Sequence, residues 1–371
     1  MKRLLSIVGA RPQFVKVAAV DRALNRHGGT IHEVLHTGQH YDDAMSRVFF
    51  HELSIPAAKT HLGIGSGSHG AQTARMIEGI EQALIAQRPD AVVLYGDTNS
   101  TLAGAIAAAK LGVPIAHVEA GLRSFNKSMP EEVNRVLCDH CSAWLFCPTE
   151  AAVSNLRAEG IIDRAVAPAS SDHPCVSLVG DVMLDSSLHF AGLVKERSHL
   201  IRESGLKENG FFLATIHRDF NADSPERLNA LLNALTACAE SHGLPVVLPL
   251  HPRTRQRLGI NGAMSIDPKR IRLIEPVGYL DMIALEMNAR LILTDSGGVQ
   301  KEAFFHGKPC VVLRRETEWT ELIDHGQATL ADADHERILE AVGHFMRNGA
   351  PTCPPLYGDG HAADRIAALL T

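Results

Sequence analysis

The 371-residue chain carries 36 Lys/Arg against 42 Asp/Glu, a net charge of −6, and is 45% hydrophobic. That length suits two domains of roughly 150–200 residues, and the composition excludes a largely disordered chain. The basic residues form no long run, so nothing predicts a nucleic-acid partner or an anionic membrane, and no stretch approaches the roughly 18–20 apolar residues needed to span a bilayer.

The N-terminal MKRLLSIVGARP begins as a signal peptide does, but Arg11-Pro12 cut off its apolar run after about seven residues and no small-residue cleavage pattern follows. It predicts a buried first strand at 4–8 and a cytoplasmic protein. VLH (34–36), AVVLY (91–95), PIAHV (114–118) and WLFC (144–147) predict further strands, separated by helical stretches such as VKVAAVDRALNRH and TLAGAIAAAKLG. Alternation of this kind, with short apolar strands, predicts a parallel sheet covered on both faces. Residues 163–177 (DRAVAPASSDHPCVS) have no periodicity and predict a linker or surface insertion. The alternation then restarts with FFLATI (211–216), VVLPL (246–250), IRLI (271–274), RLILT (290–294) and PCVVL (309–313), and HAADRIAALL predicts a last amphipathic helix. The fold class is α/β: two doubly wound domains, 1–172 and 173–354, with the C-terminal helix in 355–371 packed back on the first and an interdomain active-site cleft. Seven cysteines without a secretion signal predict no disulfide framework. Cys138 and Cys141 form a CxxC, but no second pair exists, so no metal site is predicted.

Ligands of such sheets bind at the carboxyl ends of strands, which directs attention to the residues there. In IVGARPQFVK a strand delivers Arg11 to a helix N-terminus, either an anion site or an ordinary turn. In LILTDSGGVQKEAF a strand ends in Asp295, and Ser296, Gly297 and Gly298 open a helix suited to a diphosphate, with Glu302 one turn on to accept from ribose hydroxyls. Asp97 follows AVVLY and either caps the next helix with Thr98 or serves the site. His217 and Arg218 stand at the end of FFLATI. Gly65-Ser66-Gly67-Ser68-His69-Gly70 is a literal GxGxxG, but no convincing strand precedes it and Asp90 comes before the next strand, so it predicts a flexible loop and no dehydrogenase. Ser128-Met129-Pro130-Glu131 fits a capping box, with Glu132 as a dipole-side charge. Glu119, directly after PIAHV, is expected to be partly buried and in need of a partner.

Together GARPQFVK, HTGQHYD, YGDTNSTLAG, HVEAGLRS, MPEEVNR, HPRTR, LTDSGGVQKEA and YGDG resemble, along nearly the whole chain, the non-hydrolysing UDP-N-acetylglucosamine 2-epimerase family. The resemblance implies two Rossmann-like domains of GT-B type, a homodimer, a UDP-sugar substrate, no cofactor, and a role in making surface polysaccharide such as lipopolysaccharide. It implies anti elimination of UDP across carbons 1 and 2 to a 2-acetamidoglucal, then re-addition of UDP with the proton delivered to the other face. Acid/base groups are needed on both faces, and fixed donors must hold the leaving diphosphate. Carried onto this chain, the resemblance makes Asp97, Glu119, Glu131 and His217 catalytic, and Arg11, Lys16, Arg218, Ser296, Gly297, Gly298 and Glu302 substrate contacts.

There are departures. Gln39-His40-Tyr41 and His217-Arg218-Asp219 stand where bacterial members carry QHR and HRRE, positions that contribute to activation by a second substrate molecule. Trp319, in TEWTE, stands where the family has a substrate-contacting Arg. TEW, PVGYL, VQKEAFF and GKPCV are closer to the subgroup acting on UDP-2,3-diacetamido-2,3-dideoxyglucuronate, whose extra carboxylate Arg314, Arg315 or Arg218 would meet. The competing readings are a GT-B glycosyltransferase and a hydrolysing 2-epimerase.

Overall fold

The structure is a computed structural model that describes residues 1–39, 53, 55–164, 168–250 and 266–371. Its two compact units are Met1–Ser186 together with Pro355–Thr371, and Ser187–Pro354. In the first, β1 (Lys2–Val8), β2 (Thr30–His36), β3 (Thr60–His61), β4 (Ala91–Tyr95), β5 (Ile115–Val118), β6 (Trp144–Cys147) and β7 (Cys175–Leu178) form one sheet in the order β3-β2-β1-β4-β5-β6-β7. Every pairing is parallel. The strands read as apolar runs because helices cover them. Leu5, Ile7, Val92 and Leu94 pack with Met76 and Ile80 of the helix His69–Gln87 and with Ala103 and Ala107 of the helix Asn99–Lys110.

In the second unit β8 (Phe212–Thr215), β9 (Val246–Pro249), β10 (Ile271–Ile274), β11 (Leu291–Thr294), β12 (Cys310–Val312) and β13 (Ala328–Leu330) run in the order β10-β9-β8-β11-β12-β13. Phe212, Leu293 and Val311 pack there against Leu231 and Leu235 of the helix Pro225–His242 and against Ile338 and Val342 of the helix His335–Asn348. Both sheets therefore reverse strand order beside their first strand, between β1 and β4 and between β8 and β11. Such a reversal leaves a crevice at the carboxyl ends of the two strands.

The last helix, Ala362–Leu370, lies on the helix Arg11–His27. Arg26 pairs with Asp364 at 2.6 Å, and Lys2 Nζ donates to the Leu370 carbonyl at 3.1 Å. Asp185 accepts from the first backbone N–H groups of that helix, those of Ala362 and Ala363, at 3.2 and 2.7 Å, as a helix N-terminus requires.

Two sequence expectations are corrected. Cys175–Leu178, which overlaps the end of the segment expected to be a linker, is an edge strand of the first sheet. It is half exposed and carries Ser177, so it lacks the apolar run of a central strand. The GxGxxG segment is preceded by a strand after all, the two-residue β3, and its end opens the helix His69–Gln87.

Candidate active site

The first unit gathers its polar residues where β1, β4 and β5 end. Gly9 closes β1 against Thr37 and Ser100, whose hydroxyls a Cβ at that position would overlap. Gln13, in the first turn of the helix Arg11–His27, accepts from the N–H groups of Gly9 and Ala10 at 2.8 and 3.1 Å and donates to the Tyr95 carbonyl at 2.9 Å. That side chain ties the end of β1 to the end of β4. The backbone of Arg11 starts the helix; its side chain lies outside the described residues. One turn further Lys16, almost wholly buried, is ion-paired with Glu119.

Glu119 sits just past β5 at φ +73°, a left-handed conformation that costs a non-glycine residue about 1–2 kcal/mol. Its N–H bonds the Phe146 carbonyl at 3.1 Å. Gly96, at φ +60°, lies opposite, and a Cβ there would stand 3.1 Å from both Glu119 Oε2 and Lys16 Nζ. Backbone strain of this kind persists only where surrounding contacts over-determine it.

Asp97 is ion-paired with Arg135, and its carbonyl accepts from Asn134 Nδ2 at 2.8 Å. Thr98, not Asp97, caps the helix Asn99–Lys110 through its side chain. Asn134 and Arg135 follow Glu131 by three and four residues in the helix Pro130–Cys141, so half-buried Glu131 shares the helix face turned toward Asp97.

The capping box expected at Ser128 and Glu131 is not formed. Met129 is the N-cap, without a side-chain bond, and Ser128 Oγ donates to Asn126 Oδ1 at 2.6 Å. Pro130 at the helix start moves the cap one residue along, and the loop folds back onto the second glutamate instead. Glu132, expected as a dipole-side charge, is buried. It accepts from Ser124 N and Oγ and from Phe125 N at 2.8, 2.9 and 3.1 Å, and pairs with Arg135 at 3.0 Å.

Beneath these residues lies a buried charge network that sequence reasoning missed. His117, in the middle of β5, is bonded to Asp139 Oδ1 at 2.6 Å through Nδ1 and to the Gly96 carbonyl at 2.8 Å through Nε2. Both partners are acceptors, so both ring nitrogens donate and the ring is an imidazolium. Burial opposes that charge, but Cys138 and Asp139 outweigh it and hold the ring well above the usual histidine range. Asp139 also accepts from Gly121 N at 3.1 Å and Arg123 Nη1 at 2.7 Å, and Arg123 pairs with Glu159 at 2.7 Å. The network thus grips the backbone just before Asp97 and just after Glu119. The available signal was a histidine inside an otherwise apolar buried strand, which needs partners.

Gly121 is the tightest point of this loop. It has φ +80°, and a Cβ would overlap the Ala152 carbonyl oxygen. Gly121→Ala is therefore expected to destabilise the protein by about 2–4 kcal/mol, read as a lower urea midpoint at unchanged denaturant slope.

The second unit presents its residues at the ends of β8 and β11. Fully buried Asp295 accepts from the N–H groups of His217 and Arg218 and from Asn221 Nδ2, each at 3.1 Å, with His217 Nδ1 at 3.2 Å. One carboxylate thereby joins the two strand ends. Burial depresses the His217 pKa, Asp295 opposes it, and Arg218 and Arg314 add to the depression, which favours a neutral ring although its edge reaches solvent.

Ser296 caps the helix Gly297–Phe305, accepting from Val299 N at 3.4 Å. A Cβ on Gly297 would overlap Glu318 Oε1, so that glycine is needed for close approach. Glu318 pairs with Arg314 at 3.0 Å, and buried Lys301 lies 4.0 Å from the Trp319 ring centre. Glu302 is buried and accepts from the Tyr279 hydroxyl at 3.0 Å. Arg315 is largely exposed and paired with Asp332 at 3.1 Å. His40, Tyr41 and the HPRTR segment lie outside the described residues.

Asp97, Glu119, Glu131 and Lys16 are thus assembled in one unit, and His217, Arg218, Ser296, Gly297, Gly298 and Glu302 in the other. Among the described residues no cluster of three or more His, Cys, Asp or Glu is arranged to hold a metal, and no helix is long and apolar enough to cross a membrane.

One half opens a glycine-started helix at the end of β11 and the other gathers carboxylates at its strand ends, an arrangement suited to a nucleotide-sugar enzyme. The model of the UDP-N-acetylglucosamine 2-epimerase family matches residues 22–371. The UDP-2,3-diacetamido-2,3-dideoxy-D-glucuronate 2-epimerase of Pseudomonas aeruginosa is 46% identical over 371 residues, 99% of each chain. The crystal structure of Methanocaldococcus jannaschii UDP-GlcNAc 2-epimerase in complex with UDP-GlcNAc and UDP is 39% identical and superposes with a TM-score of 0.89 over 100% of this chain and 99% of that one. The Neisseria meningitidis enzyme bound to UDP-GlcNAc is 29% identical, with a TM-score of 0.87 over 99% of each chain. The chain belongs to the UDP-N-acetylglucosamine 2-epimerase family. It is accordingly an isomerase of GT-B-like fold, the class its motifs resembled.

Proposed function

We propose that this enzyme inverts carbon 2 of UDP-2,3-diacetamido-2,3-dideoxyglucuronate by eliminating and re-adding UDP. The full-length similarity, at 46% identity, to an enzyme named for that sugar carries the reading. The charge around His217 supports it, because Arg218 and Arg314 both act on that ring and supply cations for a sugar carboxylate. Arg314 already pairs with Glu318 and Arg315 with Asp332, so either would share its charge between that carboxylate and the sugar's.

The proton on carbon 2 is not adjacent to a carbonyl, so direct deprotonation is hard. Elimination moves the C2–H pair into a carbon–carbon double bond as the bond from carbon 1 to the diphosphate oxygen breaks. Glu119, Glu131 and Asp97 supply the proton acceptor and donor groups, and Lys16 and Arg135 balance the charge of two of them. The departing diphosphate is received by the helix that starts at Ser296-Gly297-Gly298, with His217 of the same unit at the neighbouring strand end. Glu302 takes the ribose. We assign the enzyme to the cytoplasm as a homodimer that supplies surface-polysaccharide precursors such as those of lipopolysaccharide, as the motif resemblance implies.

Incubation in heavy water tests the reaction and the substrate together. Deuterium should enter carbon 2 without any acceptor, fastest with the diacetamido uronate. Faster exchange with UDP-GlcNAc would sink the uronate assignment while keeping the epimerase reaction.

A further inference from the structure

The helices Tyr279–Asn288 and Gly297–Phe305 of the second unit pack together. Tyr279 and Glu286 are seven residues apart and lie on one face of the first. Glu302 and His306, four apart, lie on one side of the second. Tyr279 donates to Glu302 at 3.0 Å, and the Glu302 carboxyl is near enough to Glu286 to raise its pKa. His306 Nε2 is 3.1 Å from Ser187 Oγ and 3.8 Å from Glu286 Oε2.

Glu286 is wholly buried, and neither of its oxygens meets a hydrogen-bond donor among the described residues. An ionised carboxylate in that setting is costly enough that the group neutralises instead. The compensating proton has two places to go. On His306 it would make an ion pair, but 3.8 Å is beyond hydrogen-bond reach. Burial, aided by Lys308, also pushes the His306 pKa down to about 4, which keeps the ring neutral. The remaining place is Glu286 itself. Burial and the neighbouring Glu302 hold its carboxyl well above the usual range, and its O–H then has the Glu302 carboxylate as acceptor. A carboxylate accepts about four hydrogen bonds, so donors from Tyr279 and Glu286 orient Glu302 without exhausting it.

We propose that Glu286 is a positioning residue: it stays protonated and, with Tyr279, aims the Glu302 carboxylate at the ribose hydroxyls of the UDP moiety. The inference rests on the reading of Glu302 as the ribose contact and adds the group that holds it. Glu286 touches no reacting atom, so its loss acts on recognition of the nucleoside and leaves the proton-transfer groups of the first unit alone.

The test is calorimetric titration of the purified enzyme with UDP and with 2′-deoxy-UDP. Glu286→Gln keeps a donor and should retain the wild-type preference for UDP within about three-fold. Glu286→Met, close in volume but without a donor, should weaken UDP about ten-fold while leaving 2′-deoxy-UDP unchanged, so that the preference collapses. Tyr279→Phe removes the other donor and should lower the same ratio, which keeps the idea testable if Glu286→Met does not fold. Equal losses for both nucleotides, or an intact preference in Glu286→Met, would overturn the role of Glu286. Glu302→Ala separates the layers: an intact preference there overturns the ribose reading itself, and the proposal with it. A collapse there beside an intact preference in Glu286→Met removes Glu286 alone.

Discussion

Glu119→Gln should lower turnover by about 10²–10⁴-fold, the usual worth of a positioned acid/base group. The amide keeps the side chain's volume and its place past β5, but it cannot take a proton at neutral pH. It also removes the charge opposite Lys16, leaving a nearly buried ammonium without its anion. The expected signature is parallel loss of epimerisation and of deuterium entry at carbon 2, with UDP affinity retained. Ser296, Gly297, Gly298 and Glu302 lie in the second unit and are untouched by the change, so the loss of Lys16's partner is the one route by which UDP affinity would fall. Equal loss of UDP binding would instead point to a general collapse of the strand end around Glu119, which already carries left-handed strain.

The long apolar strands and the strand-end position of Glu119 could be read from the sequence because both follow from periodicity and from the carboxyl-end rule of α/β sheets. Three strands escaped. β3 and β13 are two and three residues long, too short for a period, and β7 is a half-exposed edge with polar content. The neighbours Glu131 and Glu132 show a different limit. Both fit the start of a helix, and only the fold decides that Glu132 turns inward to gather the N–H groups of Ser124 and Phe125. Which carboxylate is structural is a question of a single residue's phase, set here by Pro130. The helix that carries Glu302 was legible, but Glu286 behind it comes from another helix sixteen residues earlier, a pairing that no local pattern encodes.

Asp139→Ala should be the most destabilising single change in the first unit, by about 3–5 kcal/mol, because it strands a buried imidazolium and half of a buried guanidinium's contacts. For a unit of this size that is a fall in melting temperature of about 6–20 °C. The pH dependence has a definite sign. The folded-state pKa of His117 is raised above its unfolded value, so its contribution is full below about 6.5 and is lost as pH rises through the folded value. Burial works against ionised Asp139, but His117 and Arg123 prevail and lower its pKa, so its contribution is present above about 3.9 and lost in acid. The gap between wild type and Asp139→Ala in urea midpoint should therefore be widest near pH 5–6 and narrow on the alkaline side. If the penalty is the stranded imidazolium, His117→Phe placed on top of Asp139→Ala should recover part of it, since removing both charges leaves none unpaired. Activity would not return with stability, because Gly96 and Gly121 would both have lost the bonds that set the backbone on either side of Asp97 and Glu119.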